Sequence, residues 1–181
     1  MLASKYKCRE NLSVWTSYHP YHESLNKKII LESLEYNWFG CDRIRMGGGG
    51  LTNVKALQTP PSSICSPSVK IINEWVLDLL VNDSHSTMPL TCHSSWVAKY
   101  NRGDYTLSHL HTPAAYGYVY FVKSPKGSSP LVFTTSGKKI KPEEGKVVIF
   151  PGNMNHHVPK NRCDDRIVVA GNIVPKHPKL Q

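Results

Sequence analysis

From residue 92 to residue 173 the sequence alternates with a period of two, and turn residues interrupt the alternation at short intervals. Successive side chains of a β-strand point to opposite faces, so this pattern predicts strands. The predicted strands cover residues 96–100, 105–111, 116–122, 130–134, 138–141, 145–150, 156–158 and 166–173. Eight short strands with regular turns predict a mainly β fold, the double-sheet jelly roll or double-stranded β-helix.

The sequence before residue 92 has a helical period in two places. Residues 23–36 and 68–81 carry apolar side chains three and four positions apart, which is the spacing of one helix face. A helix that is apolar on one face has to bury that face. We therefore expect both N-terminal helices to pack on one sheet of the jelly roll.

The chain has 181 residues and is 40% hydrophobic, which suits one well-cored domain. We expect a helical and loop extension over 1–90, a jelly-roll core over 91–174 and a tail over 175–181. Five cysteines without a CxxC pair argue against a zinc ribbon or a disulfide framework. No apolar run has the length of a membrane span, and the N-terminus lacks the apolar stretch of a signal peptide. The expected location is a reducing cytoplasm.

The charge of the chain is strongly positive, with 22 lysines and arginines against 13 acidic residues and a formal net charge of +9. Such a charge describes either a solvated basic surface or attraction to acidic partners, including nucleic acid and dicarboxylates. No basic run is interleaved with aromatic residues, as a platform for single-stranded nucleic acid would be. We therefore do not expect a nucleic-acid partner.

Three histidines are candidate metal ligands. His109 and His111 are two residues apart on a predicted strand, so they share a face. His156 lies on a later predicted strand, and its neighbour His157 should face the opposite way. Three imidazoles on one face would leave positions open for substrate. The alternative is that these are surface or core histidines that bind no metal.

Arg166 begins the last predicted strand and is a candidate anion ligand. A buried guanidinium requires an anion, and its planar fork suits a carboxylate. The alternative is a salt bridge to the adjacent Asp164 or Asp165.

Three tyrosines alternate on the third predicted strand, at positions 116, 118 and 120. They share a face, and a buried hydroxyl needs a hydrogen-bond partner. A polar ligand inside the barrel would supply one, whereas at the barrel mouth the hydroxyls would reach solvent.

Taken together, these residues resemble the iron(II)/2-oxoglutarate-dependent oxygenases, most closely those of bacteria and tailed phages, with prolyl hydroxylases as more distant relatives. The similarity is strongest over residues 92–174. The matching positions, in order, are Val97–Tyr100, His109, Tyr120, Gly145, Phe150–Pro151, His156 and Arg166.

The resemblance implies that His109 and His156 bind Fe²⁺. At His111 the chain departs from the family, which has Asp or Glu two residues after the first histidine. The site therefore has either three histidine ligands or two with an open position. An imidazole here makes the site one unit more positive than a carboxylate would, and dianionic 2-oxoglutarate can offset that charge.

The resemblance also implies a pocket for 2-oxoglutarate. Arg166 would bind its distal carboxylate, Tyr120 would donate a hydrogen bond to the same carboxylate, and Tyr100 would donate one near the metal-chelating end. The implied reaction uses dioxygen, converts 2-oxoglutarate to succinate and hydroxylates an unidentified substrate, such as a peptidyl proline or a small molecule. If the chain is phage-encoded, the host cytoplasm is the expected compartment.

Two other functions remain open from the sequence. One is a cupin-like three-histidine metalloenzyme that does not use 2-oxoglutarate, in which Arg166 would have no role. The other is a catalytically silent jelly-roll binding protein.

Overall fold

The computed structural model describes residues 12–40, 45–46, 50–51, 54–61, 66–83 and 88–176. Both predicted helices are present: α1 spans His22–Ser33 and α2 spans Pro67–Asp83. Helix α1 ends earlier than predicted, and the Trp38 indole donates a hydrogen bond to the Ser33 carbonyl at 2.9 Å. In the part of the chain that the structure describes, neither helix has the length and apolar character needed to cross a membrane.

Fourteen strands are described, and the eight predicted after residue 92 are all among them. Before helix α2 the strands are β1 Trp15–Tyr18, β2 Phe39–Gly40, β3 Arg45–Met46, β4 Gly50–Leu51, β5 Val54–Lys55 and β6 Leu57–Gln58. After it they are β7 Leu90–Tyr100, β8 Tyr105–His109, β9 Tyr116–Lys123, β10 Leu131–Phe133, β11 Lys139–Ile140, β12 Lys146–Pro151, β13 His156–Val158 and β14 Arg166–Pro175. Strand β8 is shorter than predicted, so His111 lies beyond its end.

The strands form two main antiparallel sheets, which we call the major and minor sheets. The major sheet has the order β1-β12-β9-β14-β7-β6-β2, and the minor sheet has the order β11-β10-β13-β8-β5. From β7 onwards the chain passes repeatedly from one sheet to the other. This is the arrangement of a jelly roll, and it confirms the predicted fold class.

The N-terminal part contributes strands as well as helices. Strand β1 pairs with β12 at one edge of the major sheet, and β6 pairs with β7 near the other. Strand β5 pairs with β8 in the minor sheet. These short strands cover backbone groups that open sheet edges would otherwise expose.

The major sheet is buried on both faces, and each face has its own core. The outer core lies between this sheet and the two helices, and its buried residues include Leu25, Ile29, Ile72, Val76, Tyr118, Tyr120, Val147 and Val169. The inner core lies between the two sheets, and its buried residues include Ala98, Tyr100, Val119, Phe121, Phe133, Val148, Phe150 and Val168. The candidate site opens from the inner core.

Candidate metal site and adjoining pocket

The structure brings the three predicted metal ligands together. His109 ends β8 and is paired in register with His156 at the start of β13. One ring nitrogen from each of His109, His111 and His156 lies within 4.8 Å of the others, and the Nε2 atoms of His111 and His156 are 3.2 Å apart. Two nitrogens bound about 2.0–2.1 Å from one ion would be separated by roughly 3 Å. The cluster therefore fits a metal ion.

Backbone carbonyls orient two of these rings. The Nδ1 atom of His109 is 2.9 Å from the Leu107 carbonyl oxygen, and that of His156 is 3.0 Å from the Met154 carbonyl oxygen. A carbonyl oxygen only accepts, so in both rings Nδ1 carries the proton. The Nε2 lone pairs are then free for a metal, which is how metal-bound histidines are usually held.

The third ring is oriented by a side chain that the sequence analysis did not single out. His111 Nδ1 is hydrogen-bonded to Oδ1 of Asn172, and Asn172 Nδ2 donates to Ser94 Oγ at 3.1 Å. Asn172 lies on β14, among apolar residues of that strand. A polar residue late in such a strand is the one signal by which it could have been found.

Burial favours the neutral form of all three imidazoles. It lowers the pKa of His111 to about 4 and that of His156 to about 3. It also lowers the pKa of His109. Desolvation penalises the imidazolium, so near neutral pH the rings are uncharged and able to bind a metal.

The side chain of Arg166 is fully enclosed, with only 1% of the residue exposed. Its guanidinium carbon lies 4.7 Å from the centroid of the Tyr100 ring and 5.6 Å from that of Phe121. The Nε and Nη1 atoms have no hydrogen-bond partner. A buried cation with unpaired donors is costly, and an anion bound beside it would remove that cost.

The predicted alternative, a salt bridge from Arg166 to Asp164 or Asp165, is wrong. Asp165 pairs instead with Lys99 at 2.6 Å and with Lys123. Asp164 accepts a hydrogen bond from the backbone nitrogen of Arg102 at 2.9 Å. The two aspartates therefore have other partners, and neither of them neutralises the Arg166 guanidinium.

One pocket is lined by the three histidines and by Arg166. Tyr100 and Thr106 also line it, and their hydroxyl oxygens are 2.7 Å apart. We predicted Tyr100 near the metal-chelating end, but its ring lies against Arg166. Thr106 was not predicted. The pocket is narrow, with a cavity of about 40 Å³.

Tyr120 does not line this pocket, and the predicted location of its hydroxyl is wrong. Tyr120 belongs to the outer core, where its hydroxyl donates to Asn26 Oδ1 at 2.7 Å. Tyr118 lies on the same face and donates to Asn73. The helices supply partners for both hydroxyls, whereas the intervening Val119 faces the inner core.

Comparison with solved structures supports the fold. A collagen prolyl hydroxylase from Paramecium bursaria Chlorella virus-1, as its 2-oxoglutarate complex, has a TM-score of 0.65 and 15% identity over 88% of this chain and 94% of that chain. A prolyl-4-hydroxylase from Pseudomonas putida has a TM-score of 0.66 and 14% identity over 91% and 92%. HygX from Streptomyces hygroscopicus, with nickel and 2-oxoglutarate bound, has a TM-score of 0.64 and 10% identity over 91% and 84%.

No protein-family model and no curated protein sequence matches the chain. The structural likeness extends over most of its length in each case, and it is a likeness of fold. The chain therefore has the double-stranded β-helix fold of the iron(II)/2-oxoglutarate oxygenase structures.

Proposed function

We propose that this chain is an Fe(II)/2-oxoglutarate-dependent oxygenase. The observation that carries the proposal is that Arg166, two of whose buried nitrogens have no hydrogen-bond partner, lines the same pocket as the three-histidine cluster. A metal site and a buried cationic fork in one pocket suit a dicarboxylate, which binds the metal through one end and the guanidinium through the other.

Each residue has a distinct role in this proposal. His109, His111 and His156 hold Fe²⁺, which when bound supplies the chemistry of dioxygen activation. Arg166 binds the distal carboxylate of 2-oxoglutarate. The Tyr100 ring packs against the Arg166 guanidinium, and the Tyr100 hydroxyl is hydrogen-bonded to that of Thr106. Three neutral ligands leave the charge of the ion uncompensated, and the dianionic cosubstrate offsets it.

We place the primary substrate in a second cavity of about 550 Å³. It shares His111 and Asn172 with the metal site, and its other lining residues are His93, Thr112, Pro113, Ala114, Val174 and Pro175. Among the described residues no Asp, Glu, Lys or Arg lines it, so it suits an uncharged group of the substrate. A peptidyl residue such as proline and a neutral small molecule both meet this condition, and the product is the hydroxylated group together with succinate and CO₂.

The second candidate function is a cupin-like metalloenzyme that does not use 2-oxoglutarate. The three-histidine cluster favours it, because no carboxylate belongs to the metal group that the described residues form. It leaves the buried guanidinium of Arg166, with its two unpartnered nitrogens, without a role. We therefore rank it second.

The test is an anaerobic titration of the metal-free protein with Fe(II) and then 2-oxoglutarate, followed by the visible metal-to-ligand charge-transfer band. Hydrogen bonds to a charged group contribute about 1.5–3 kcal/mol. Arg166→Ala should therefore weaken 2-oxoglutarate binding by roughly ten- to a hundredfold, with iron affinity unchanged. Arg166→Lys should recover part of the affinity, because it restores the charge without the fork.

The matched control is Arg162→Ala, which removes a positive charge from an exposed position four residues earlier. It should leave 2-oxoglutarate affinity unchanged. If Arg166→Ala binds 2-oxoglutarate as tightly as the parent, or if the parent binds iron but does not bind 2-oxoglutarate, the cupin-like function replaces the proposal.

A further inference from the structure

An imidazole at position 111 has two structural requirements that a carboxylate at the same position would not have. The ring needs more room, and Nε2 points usefully at a metal only if the far nitrogen, Nδ1, holds the proton. The surroundings of His111 meet both demands, and they do so through side chains rather than through the backbone carbonyls that orient His109 and His156.

Room for the ring comes from Gly117 on β9. A Cβ atom at this position would lie 3.0 Å from Cδ2 of His111 and 2.9 Å from Cε2 of Phe150. The two rings themselves have centroids 5.6 Å apart. On the other side, Trp96 stacks nearly parallel to His111, with centroids 6.5 Å apart and an interplanar angle of 17°. The imidazole therefore has aromatic rings as neighbours, and the absence of a side chain at position 117 gives it room.

The proton acceptor is Asn172, whose side-chain amide is hydrogen-bonded to both His111 and Ser94. An asparagine side chain can present either its oxygen or its nitrogen to a neighbour. Asn172 Nδ2 donates to Ser94 Oγ, and Ser94 is the residue paired with Asn172 between β7 and β14. The amide oxygen faces His111 Nδ1. Since this oxygen only accepts, Nδ1 carries the proton and Nε2 is left with its lone pair.

We propose that Asn172, held by Ser94, is the positioning residue that makes His111 a third metal ligand. The inference rests on the proposed metal site. Asn172 does not touch the ion, and it acts by selecting the tautomer and the angle of the His111 ring. Each of the three histidines has a hydrogen-bond acceptor at Nδ1. Two of these acceptors are backbone carbonyls and the third is the Asn172 side chain, so the role of Asn172 can be tested by substitution.

The experiment is titration of the metal-free protein with Co(II), followed by visible absorption, which reports both affinity and ligand geometry. Asn172→Leu keeps the approximate size but removes the acceptor. We expect a loss of about 10- to 100-fold in Co(II) affinity, the usual effect of removing such a partner, and an altered spectrum. Asn172→Asp keeps an acceptor and should bind Co(II) about as well as the parent. Ser94→Ala should weaken binding less than Asn172→Leu does.

A double-mutant cycle separates positioning from packing. If Asn172 acts through the ring, Asn172→Leu should have no further effect on Co(II) affinity in a His111→Ala background. Thermal unfolding of each metal-free variant checks that it folds. Asn172→Asp and Ser94→Ala keep the test decisive should Asn172→Leu not fold.

The outcomes distinguish this inference from the proposed function. A parent protein that binds no metal overturns both. A parent that binds Co(II), with Asn172→Leu binding it equally well, overturns the inference alone. Equal losses of affinity in Asn172→Leu and Asn172→Asp, or a loss that persists in the His111→Ala background, also overturn it, because the effect would then be one of packing.

Discussion

The hydroxyl of Tyr120 donates a hydrogen bond to Oδ1 of Asn26 at 2.7 Å, joining strand β9 to helix α1. Tyr120 is fully buried, and Asn26 is 6% exposed. Burial raises the pKa of the Tyr120 phenol well above its usual value, so it stays a neutral donor. The bond lies on the helix-covered face of the major sheet, and through it Tyr120 links the sheet to helix α1.

We predict that Tyr120→Phe lowers stability and leaves 2-oxoglutarate affinity unchanged. Removing the hydroxyl leaves the Asn26 oxygen buried without a donor, which costs about 1–3 kcal/mol. Denaturant unfolding measures the loss, and the anaerobic titration measures affinity. A fall in 2-oxoglutarate affinity as large as that expected for Arg166→Ala would contradict this prediction and indicate that Tyr120 contacts 2-oxoglutarate.

We predict that His109→Ala loses bound iron and that His157→Ala keeps it. His157 is adjacent to a proposed ligand but faces the opposite side of the minor sheet, where its Nδ1 atom is 3.1 Å from Thr134 Oγ1. Iron stoichiometry measured on the two purified variants checks the assignment. Equal iron loss in both, or full iron in His109→Ala, would contradict it.

We predict that Gly117→Ala weakens metal binding by displacing His111. The added methyl would stand within 3.0 Å of the ring, and such overpacking typically costs about 1–3 kcal/mol. The matched control is Gly40→Ala on β2, where a Cβ atom would meet only Leu57 Cδ2 at an ordinary 3.7 Å. Co(II) titration of both variants is the measurement. Equal affinities would show that the His111 ring can accommodate a methyl group at position 117 without being displaced.

The strand pattern was predictable after residue 92 because each turn there is marked in the sequence, as at Gly103, Gly127 and Gly145, which all have positive φ. Strands β2, β5 and β6 have two residues each, too few for a period to appear. Their positions depend on pairing with edges formed far away in the chain, and a local pattern carries no information about such pairing.

The site was predictable where it depended on strand alternation and order, as for His109, His156 and Arg166. It was not predictable where both faces of a strand are buried. On β9 the residues from Gly117 to Val122 are all buried, so the contrast between apolar and polar residues cannot tell the helix face from the pocket face. Asn172 was missed for another reason, because its contact with His111 joins residues 61 positions apart.

We predict that the metal-free protein loses stability as the pH falls from about 7 to about 5. In the unfolded chain His111 and His156 titrate near 6.5, whereas in the folded protein burial holds their pKa values at about 4 and about 3. Over this window the unfolded state binds more protons than the folded state, so the free energy of unfolding decreases as the pH falls. His109 and His19 also have lowered pKa values and act in the same direction.

The measurement is the thermal unfolding temperature of the metal-free protein across this window, compared with that of His156→Gln. Glutamine does not titrate, so the variant should show a shallower dependence on pH, with the difference confined to values below about 6.5. Saturating metal should raise the unfolding temperature at neutral pH, and the gain should shrink as protons compete for the imidazoles. A His156→Gln profile that runs parallel to the parent's would mean that His156 is protonated in the folded protein as readily as in the unfolded chain.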